Sequence, residues 1–105
     1  MLDVAYTVEL LPLFESDLQE TLDYISGTLA NPWAADDLLE AIMSSIRERA
    51  SAPLAYSPYP KGNGVSLDHY RIYVDNYTVF YRVEGSVMVV ERLIYSRRDL
   101  PKFLS

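Results

Sequence analysis

The side chains best suited to chemistry lie between residues 69 and 98 and are mostly cationic or aromatic. They are Arg71, Arg82, Arg97 and Arg98, together with Tyr73, Tyr95 and His69. An arginine guanidinium holds a phosphate through two parallel hydrogen bonds, and a tyrosine stacks on a base or transfers a proton at an RNA 2′-hydroxyl. This set suits phosphodiester cleavage by positioning and charge stabilisation. A simpler interpretation stays open, in which Arg71 and Arg82 balance Glu84 and Glu91 across a sheet.

The single histidine, His69, is a further candidate for proton transfer, as a general acid. Its alternative role is to anchor the loop that precedes the sheet. One histidine and no cysteine exclude a multi-histidine or thiolate metal site, and the chain has no glycine-rich phosphate loop. No metal and no cofactor are therefore expected.

These residues must be positioned by the stretch from Tyr70 to Asp99, where two tight turns separate three runs of β-forming residues. Asp75-Asn76 tolerates the positive φ of a type I′ turn, and Gly85-Ser86 suits a two-residue primed turn. The resulting pairs are Val74 with Tyr77, Ile72 with Val79, Tyr70 with Tyr81, Val83 with Met88 and Tyr81 with Val90.

Side chains alternate along a strand, so these registers sort the residues onto two faces. One face is almost wholly apolar and needs a cover; it contains Tyr70, Ile72, Val74, Tyr77, Val79, Tyr81, Val83, Met88, Val90 and Ile94. The other mixes basic, aromatic and hydroxyl groups; it contains Arg71, Tyr73, Thr78, Phe80, Arg82, Val87, Val89, Glu91, Leu93 and Tyr95. The mixed face is either a binding or catalytic surface or an ordinary half-solvated sheet face. Arg92 falls on the apolar face, where it is expected to pair with a helix acid.

Two helices are predicted ahead of this sheet. After a first strand over residues 4–11, Ser16 and Gln19 form a capping box that starts a helix running to about Ala30. Asn31 and Pro32 then start a second helix. Its apolar stripe is the clearest in the chain: Ala35, Leu38, Leu39, Ile42, Met43 and Ile46.

The sequence therefore predicts one α+β domain over residues 1–105. A two-helix hairpin packs on a mostly antiparallel four-stranded sheet, in the order β-α-α-β-β-β. A loop rich in proline and glycine runs from Ala52 to Leu67 and contains Lys61, a candidate substrate-binding residue. A short helical tail follows the last strand, with Leu100, Phe103 and Leu104 tucked against the body.

Charge is distributed unevenly along the chain, whose net charge is −6. Residues 1–60 contain ten acids and two arginines, a balance of −8, and residues 61–105 contain five acids and seven basic residues, a balance of +2. A globally acidic protein binds nucleic acid poorly without specific contacts, although the sheet half offers a local basic site. No N-terminal targeting signal and no apolar run of membrane-spanning length are present, so a cytoplasmic location away from membranes is expected.

Four segments of the chain, in this order, resemble the RelE/ParE superfamily of bacterial type II toxins: DLQETLDYI, NPWAADDL, YRIYVDNYTVFYRV and VVERLIYSRRDL. The resemblance covers nearly the whole chain. It implies a small α+β fold and a cognate antitoxin, usually encoded beside the toxin, that wraps it and blocks the sheet face. We expect the antitoxin to present an apolar helix or strand with acidic flanks to the basic sheet face.

Within the superfamily, RelE-like members cut mRNA on the ribosome and ParE-like members poison DNA gyrase. Arg71 matches a position where RelE has a catalytic lysine, and Arg97 matches the arginine after the last strand. Tyr95 stands where many relatives have a histidine, whereas Tyr73 and Thr78 replace a second lysine and an arginine. The runs FYRV and VVERLIY look closer to ParE-like chains.

The resemblance thus implies a growth-inhibiting toxin, and ribosome-associated mRNA cleavage is the predicted mechanism. The residues assigned to it are Arg71 and Arg97 for the scissile phosphate, Tyr95 or His69 for the proton, and Tyr73, Arg82, Lys61 and Arg98 for binding substrate. Two alternatives stay open: a ParE-type gyrase poison without nuclease activity, and an inactive binding module that keeps the fold. Besides the antitoxin, the partners would be the ribosome with mRNA, or else DNA gyrase.

Overall fold

The computed structural model describes residues 6–58 and 68–95 and shows a two-helix hairpin packed on a four-stranded sheet. Its strands are β1 (Thr7–Leu10), β2 (Tyr70–Val74), β3 (Tyr77–Glu84) and β4 (Val87–Tyr95). They lie in the order β1-β4-β3-β2, with β1 parallel to β4 and the other two pairs antiparallel. The predicted α+β fold and element order are confirmed. The C-terminal tail and the second half of the long loop, including Lys61, lie outside the described residues.

The first helix, α1 (Pro12–Asp23), begins four residues earlier than the expected capping box. Pro12 occupies the first helical turn, where its missing N–H and fixed φ are no handicap, and Leu11 before it is extended with φ −75° and ψ 154°. Ser16 therefore lies inside the helix and caps nothing. Gln19 instead donates from Nε2 to Asp23 Oδ1 at 2.9 Å, one turn further on. The predicted capping box is wrong because proline at this position starts the helix as well as ending the strand.

A π-helical turn, Tyr24–Thr28, follows α1 directly. The chain then reverses through Ala30, whose φ of 52° is left-handed, and α2 (Pro32–Arg49) begins. The side chain of Asn31 accepts a hydrogen bond from the Ala34 amide at 3.1 Å, so the predicted N-cap is confirmed. Neither described helix has the length and apolarity needed to cross a membrane.

Both predicted hairpins are present with the predicted pairs, including Tyr70 opposite Tyr81 and Val83 opposite Met88. The first turn differs in type. A type I′ turn needs a positive φ at both loop residues, and of the two only Asp75 has one, at 53°. In the second turn the positive φ falls on Gly85, at 61°, a conformation that costs glycine little.

A β-bulge in β4 changes which residues face the helices. Phe80 pairs with Arg92 and the next residue, Tyr81, pairs with Val90, so Glu91 is the extra residue. Beyond it the alternation is inverted. Leu93 and Tyr95 lie opposite Val79 and Tyr77 on the helix-covered face, and Ile94 lies opposite Thr78 on the other. The predicted faces of Leu93, Ile94 and Tyr95 are therefore wrong.

The core lies between the helices and the sheet. All the predicted core residues belong to it: Leu38, Ile42, Ile46, Ile72, Val79, Tyr81 and Val90. Phe14 of α1, which has no exposed surface, and Leu93 beyond the bulge join the same cluster. One cluster thus joins both helices to three strands.

Candidate functional site

The sheet face turned away from the helices, called the open face here, carries an ion-pair cluster built around Glu91. His69 Nε2 lies 2.8 Å from Glu91 Oε1, and the Arg82 guanidinium donates to the other oxygen, Oε2. Arg82 also donates from Nε to Glu84 at 2.7 Å. These hydrogen bonds, the one to Glu84 foremost, raise the pKa of Arg82. Arg82 therefore carries two carboxylate partners and offers little uncompensated charge to a phosphate.

Arg71, which is half-buried, and Tyr73, which is exposed, lie at alternate positions on β2 on the open face. The Arg71 guanidinium lies 5.7 Å from the centre of the Tyr73 ring, within the range of a cation–π contact. Tyr73 is 61% exposed. The middle of the same face is buried, because Thr78, Phe80 and Val89 are each at most 3% exposed. The half-solvated face expected from the sequence therefore has a buried middle, and its exposed side chains lie around it, at Tyr73 on β2 and Glu84 at the end of β3.

The backbone that carries Arg71 is held by the end of α2. Arg49 Nη1 donates to the Arg71 carbonyl oxygen and to the Tyr81 hydroxyl, both at 3.0 Å. The Tyr81 hydroxyl donates in turn to the Pro53 carbonyl at 2.7 Å, and the Arg49 guanidinium lies 3.5 Å from the centre of the Tyr56 ring. This arrangement ties α2, the start of the long loop and two strands together, and so fixes the position of the open face.

Tyr95 is not part of the open face. Its ring lies 5.3 Å from that of Tyr77, at an interplanar angle of 54°, on the helix-covered side of the sheet. The structure therefore brings His69, Arg71, Tyr73 and Arg82 to one face and places Tyr95 on the opposite one. The other predicted site residues, Lys61, Arg97 and Arg98, lie outside the described residues.

An open groove of about 950 Å³ lies where Tyr95 is found, between the helix hairpin and the end of the sheet. We call it the tyrosine groove, and its main lining residues are Glu20, Tyr24, Leu29, Asp75, Tyr77 and Tyr95. Burial raises the pKa of Tyr77, and the neighbouring Tyr95 and Tyr24 raise it further, so the three hydroxyls share one local environment.

Sequence reasoning missed this groove and the central role of Glu91. Tyr24 falls in the π-helical turn, a kind of distortion that occurs often at functional sites, but its sequence reads as ordinary helix. Glu91 was assigned to the open face. Of the alternative in which Arg71 and Arg82 balance Glu84 and Glu91, the structure shows the part that concerns Arg82. The predicted pairing of Arg92 with a helix acid is also confirmed, since its Nε donates to Asp17 Oδ2 at 2.8 Å.

Two solved structures of toxin–antitoxin systems share this architecture. One is described as a chromosomal ParDE system from P. aeruginosa, with a TM-score of 0.71, 14% sequence identity, and coverage of 87% of this chain and 96% of that one. The other is a RelB–RelE antitoxin–toxin complex from Methanococcus jannaschii, with a TM-score of 0.51, 18% identity, and coverage of 92% of this chain and 99% of that one. At such identities these likenesses establish the fold. No curated protein matches the chain at a significant level.

The fold is that of a small RelE/ParE-type toxin. A family model described as the ParE toxin of the type II toxin–antitoxin system parDE matches residues 8–100. The chain belongs to this family, and the predicted relation to type II toxins is confirmed.

Proposed function

We propose that this chain is a toxin held inactive by a cognate antitoxin, and that it acts as a ParE-type poison of DNA gyrase and not as a ribosome-dependent nuclease. The choice between the two mechanisms rests on how the charged and proton-transferring residues are arranged on the open face. Cleavage of a phosphodiester by charge stabilisation requires cations and a proton-transferring group that converge on one phosphate. Among the described candidates, Arg82 is neutralised by Glu84 and Glu91, and Tyr95 lies on the other side of the sheet.

Family membership and charge support the same choice. The match is to a ParE model over residues 8–100, and ParE-like members are gyrase poisons. The net charge is −6 and the isoelectric point is about 4.6, so long-range attraction toward ribosomal RNA is absent. The antitoxin partner is supported by the family and by the two toxin–antitoxin structures that share the fold.

Cleavage of mRNA is the second candidate, because His69, Arg71 and Tyr73 alternate along the start of β2 on one face. In that mechanism Arg71 and Arg97 hold the scissile phosphate while His69 transfers the proton. Tyr73, Arg98 and Lys61 would bind the RNA on either side. In-line positioning of the 2′-hydroxyl would then supply much of the rate enhancement.

Induced expression in a bacterial host separates the two mechanisms. Translation, mRNA integrity and gyrase-dependent DNA breaks are followed together after induction. The gyrase mechanism predicts DNA breaks with intact mRNA, and toxicity that survives Arg71→Ala. The matched control is Arg47→Ala, which removes an exposed arginine from α2.

The opposite result would contradict the gyrase mechanism. It consists of a loss of mRNA and translation that Arg71→Ala or Arg97→Ala relieves and Arg47→Ala does not. Unimpaired growth with folded protein present would instead favour an inactive binding module. Co-expression of the adjacent antitoxin should restore growth in either active case.

A further inference from the structure

The tyrosine groove is acidic and aromatic, and the described residues that line it offer no counter-charge. Among the described residues that line it there is no lysine, arginine or histidine. Its two carboxylates, Glu20 and Asp75, form no ion pair within the described part of the chain. An acid in such a position is open to pairing with a cation from outside.

The aromatic lining suits the same kind of ligand. Tyr77 and Tyr95 have ring centres 5.3 Å apart and are tilted by 54°, and Tyr24 and Leu29 on the opposite wall are each 55% exposed. The faces of tyrosine rings attract a guanidinium or ammonium group, and more strongly where water is excluded. Exposed apolar side chains beside them add the burial that holds a segment in place.

From this geometry we propose that the tyrosine groove receives an arginine or lysine side chain of the antitoxin, flanked by apolar residues of the same segment. The inference rests on the proposed toxin–antitoxin partnership and names the contact. It replaces the expectation of acidic antitoxin flanks on a basic sheet face. A groove of about 950 Å³ is comparable to sites that enclose a sizeable ligand, so it accommodates the cation together with its neighbours. The site lies on the opposite side of the sheet from Arg71 and Tyr73.

The test measures the dissociation constant between the full-length chain and the full-length antitoxin encoded beside it, by surface plasmon resonance. Tyr24→Leu keeps an apolar side chain and removes the ring face, whereas Tyr24→Phe keeps the ring and removes the hydroxyl. We expect Tyr24→Leu to weaken binding by roughly 2- to 30-fold, in line with the energies of cation–π contacts. Tyr24→Phe should stay within about twofold of wild type. Tyr73→Leu, on the open face, is the matched control for loss of an exposed tyrosine.

The charge of the groove is tested by Glu20→Lys, which should weaken binding by about tenfold or more, with a smaller effect at high salt. Its control is Glu48→Lys, the same charge change at the far end of α2, about 21 Å from Ala34 at the helical rise per residue. A double-mutant cycle between Tyr24→Leu and each arginine or lysine of the antitoxin, changed to methionine, identifies the docked cation as the one whose effects are not additive.

Two results would overturn the groove contact while leaving the toxin–antitoxin pair intact. The first is tight binding that all the groove variants preserve, above all if Tyr73→Leu weakens it. The second is an equal loss for Tyr24→Leu and Tyr24→Phe, which would place the hydroxyl and not the ring face in the contact. No binding by folded wild-type protein would refute the partnership itself.

Discussion

Glu91 determines how much positive charge the neighbouring Arg82 and His69 can offer to a ligand. As the extra residue of the bulge it accepts a hydrogen bond from Arg82 and lies 2.8 Å from His69. A basic, aromatic strand pattern in the sequence therefore overstates the positive charge available on the surface. One partner acid, Glu91, lies on the neighbouring strand β4, so counting charges along β3 alone does not reveal it.

Tyr81 connects a buried hydroxyl to the stability of the chain at high pH. Burial raises its pKa above the ordinary value of 10.0, against a smaller lowering by Arg49. A group whose pKa is higher in the folded state contributes stability that is present below its unfolded pKa and is lost as the pH rises through the folded pKa. The free energy of unfolding should therefore fall above about pH 10.

We expect Tyr81→Phe to unfold more easily at neutral pH, by about 1–3 kcal/mol, because the Pro53 carbonyl loses its donor. Between about pH 8 and about pH 11, however, the variant should lose less stability than wild type, since the raised pKa is gone. Urea unfolding at both pH values measures the two effects. Tyr73→Phe, at a 61% exposed tyrosine, should follow wild type. A pH dependence of Tyr81→Phe parallel to that of wild type would contradict the role of this hydroxyl.

Among the secondary-structure elements, the sequence predicted those that a single pattern determines. The α2 stripe and its Asn31 cap, the register of the first hairpin and that of the second as far as Val90 follow from local residue types and are confirmed. The bulge could not be read from the sequence, because Leu93 and Ile94 are both apolar and either one fits the core. For the same reason the face of Tyr95, and with it the tyrosine groove, depended on a register shift at Glu91.

Anchoring of α1 depends on that same bulge. The Asp17 carboxylate accepts hydrogen bonds from Arg92 at 2.8 and 3.1 Å and from the Leu93 amide at 2.9 Å. One acid on the helix thus satisfies a backbone donor just beyond the bulge and pairs with the arginine beside it. The sequence predicted the ion pair but not the backbone contact, which needs the irregular strand.

The reversal between the two helices contains a strained residue. Ala30 adopts a φ of 52°, and a left-handed conformation costs a residue with a Cβ roughly 1–2 kcal/mol. Ala30→Gly should relieve this strain and raise the free energy of unfolding by about 0.5–1 kcal/mol, after the entropy lost by glycine. Chemical denaturation measures this change in the free energy of unfolding. The matched change Ala41→Gly, inside α2, should instead lower the free energy of unfolding by about 1 kcal/mol. A loss of stability for Ala30→Gly would contradict the strain.

The molecule has one core and two electrostatic halves. Phe14, Ile42, Ile46, Val79 and Val90 meet in one cluster, so the hairpin of helices has no separate interior. The charge, in contrast, is divided between two parts of the chain: residues 1–60 have a net charge of −8 and residues 61–105 a net charge of +2. The tyrosine groove is formed where the acidic helices meet the end of the sheet, which explains why composition alone did not locate it.

A single shared core predicts that helices and sheet unfold together. Ile42 has no exposed surface, and Ile42→Ala should lower the free energy of unfolding by about 2–5 kcal/mol through lost burial and the cavity left behind. Leu13→Ala, at a 61% exposed leucine on α1, should change it by less than about 0.5 kcal/mol. Far-UV circular dichroism reports the helices, and near-UV circular dichroism of the tyrosines reports sheet packing. Their transitions should coincide in wild type and shift together in Ile42→Ala. Helices that melt while the tyrosine signal persists would show that the two layers do not depend on one core.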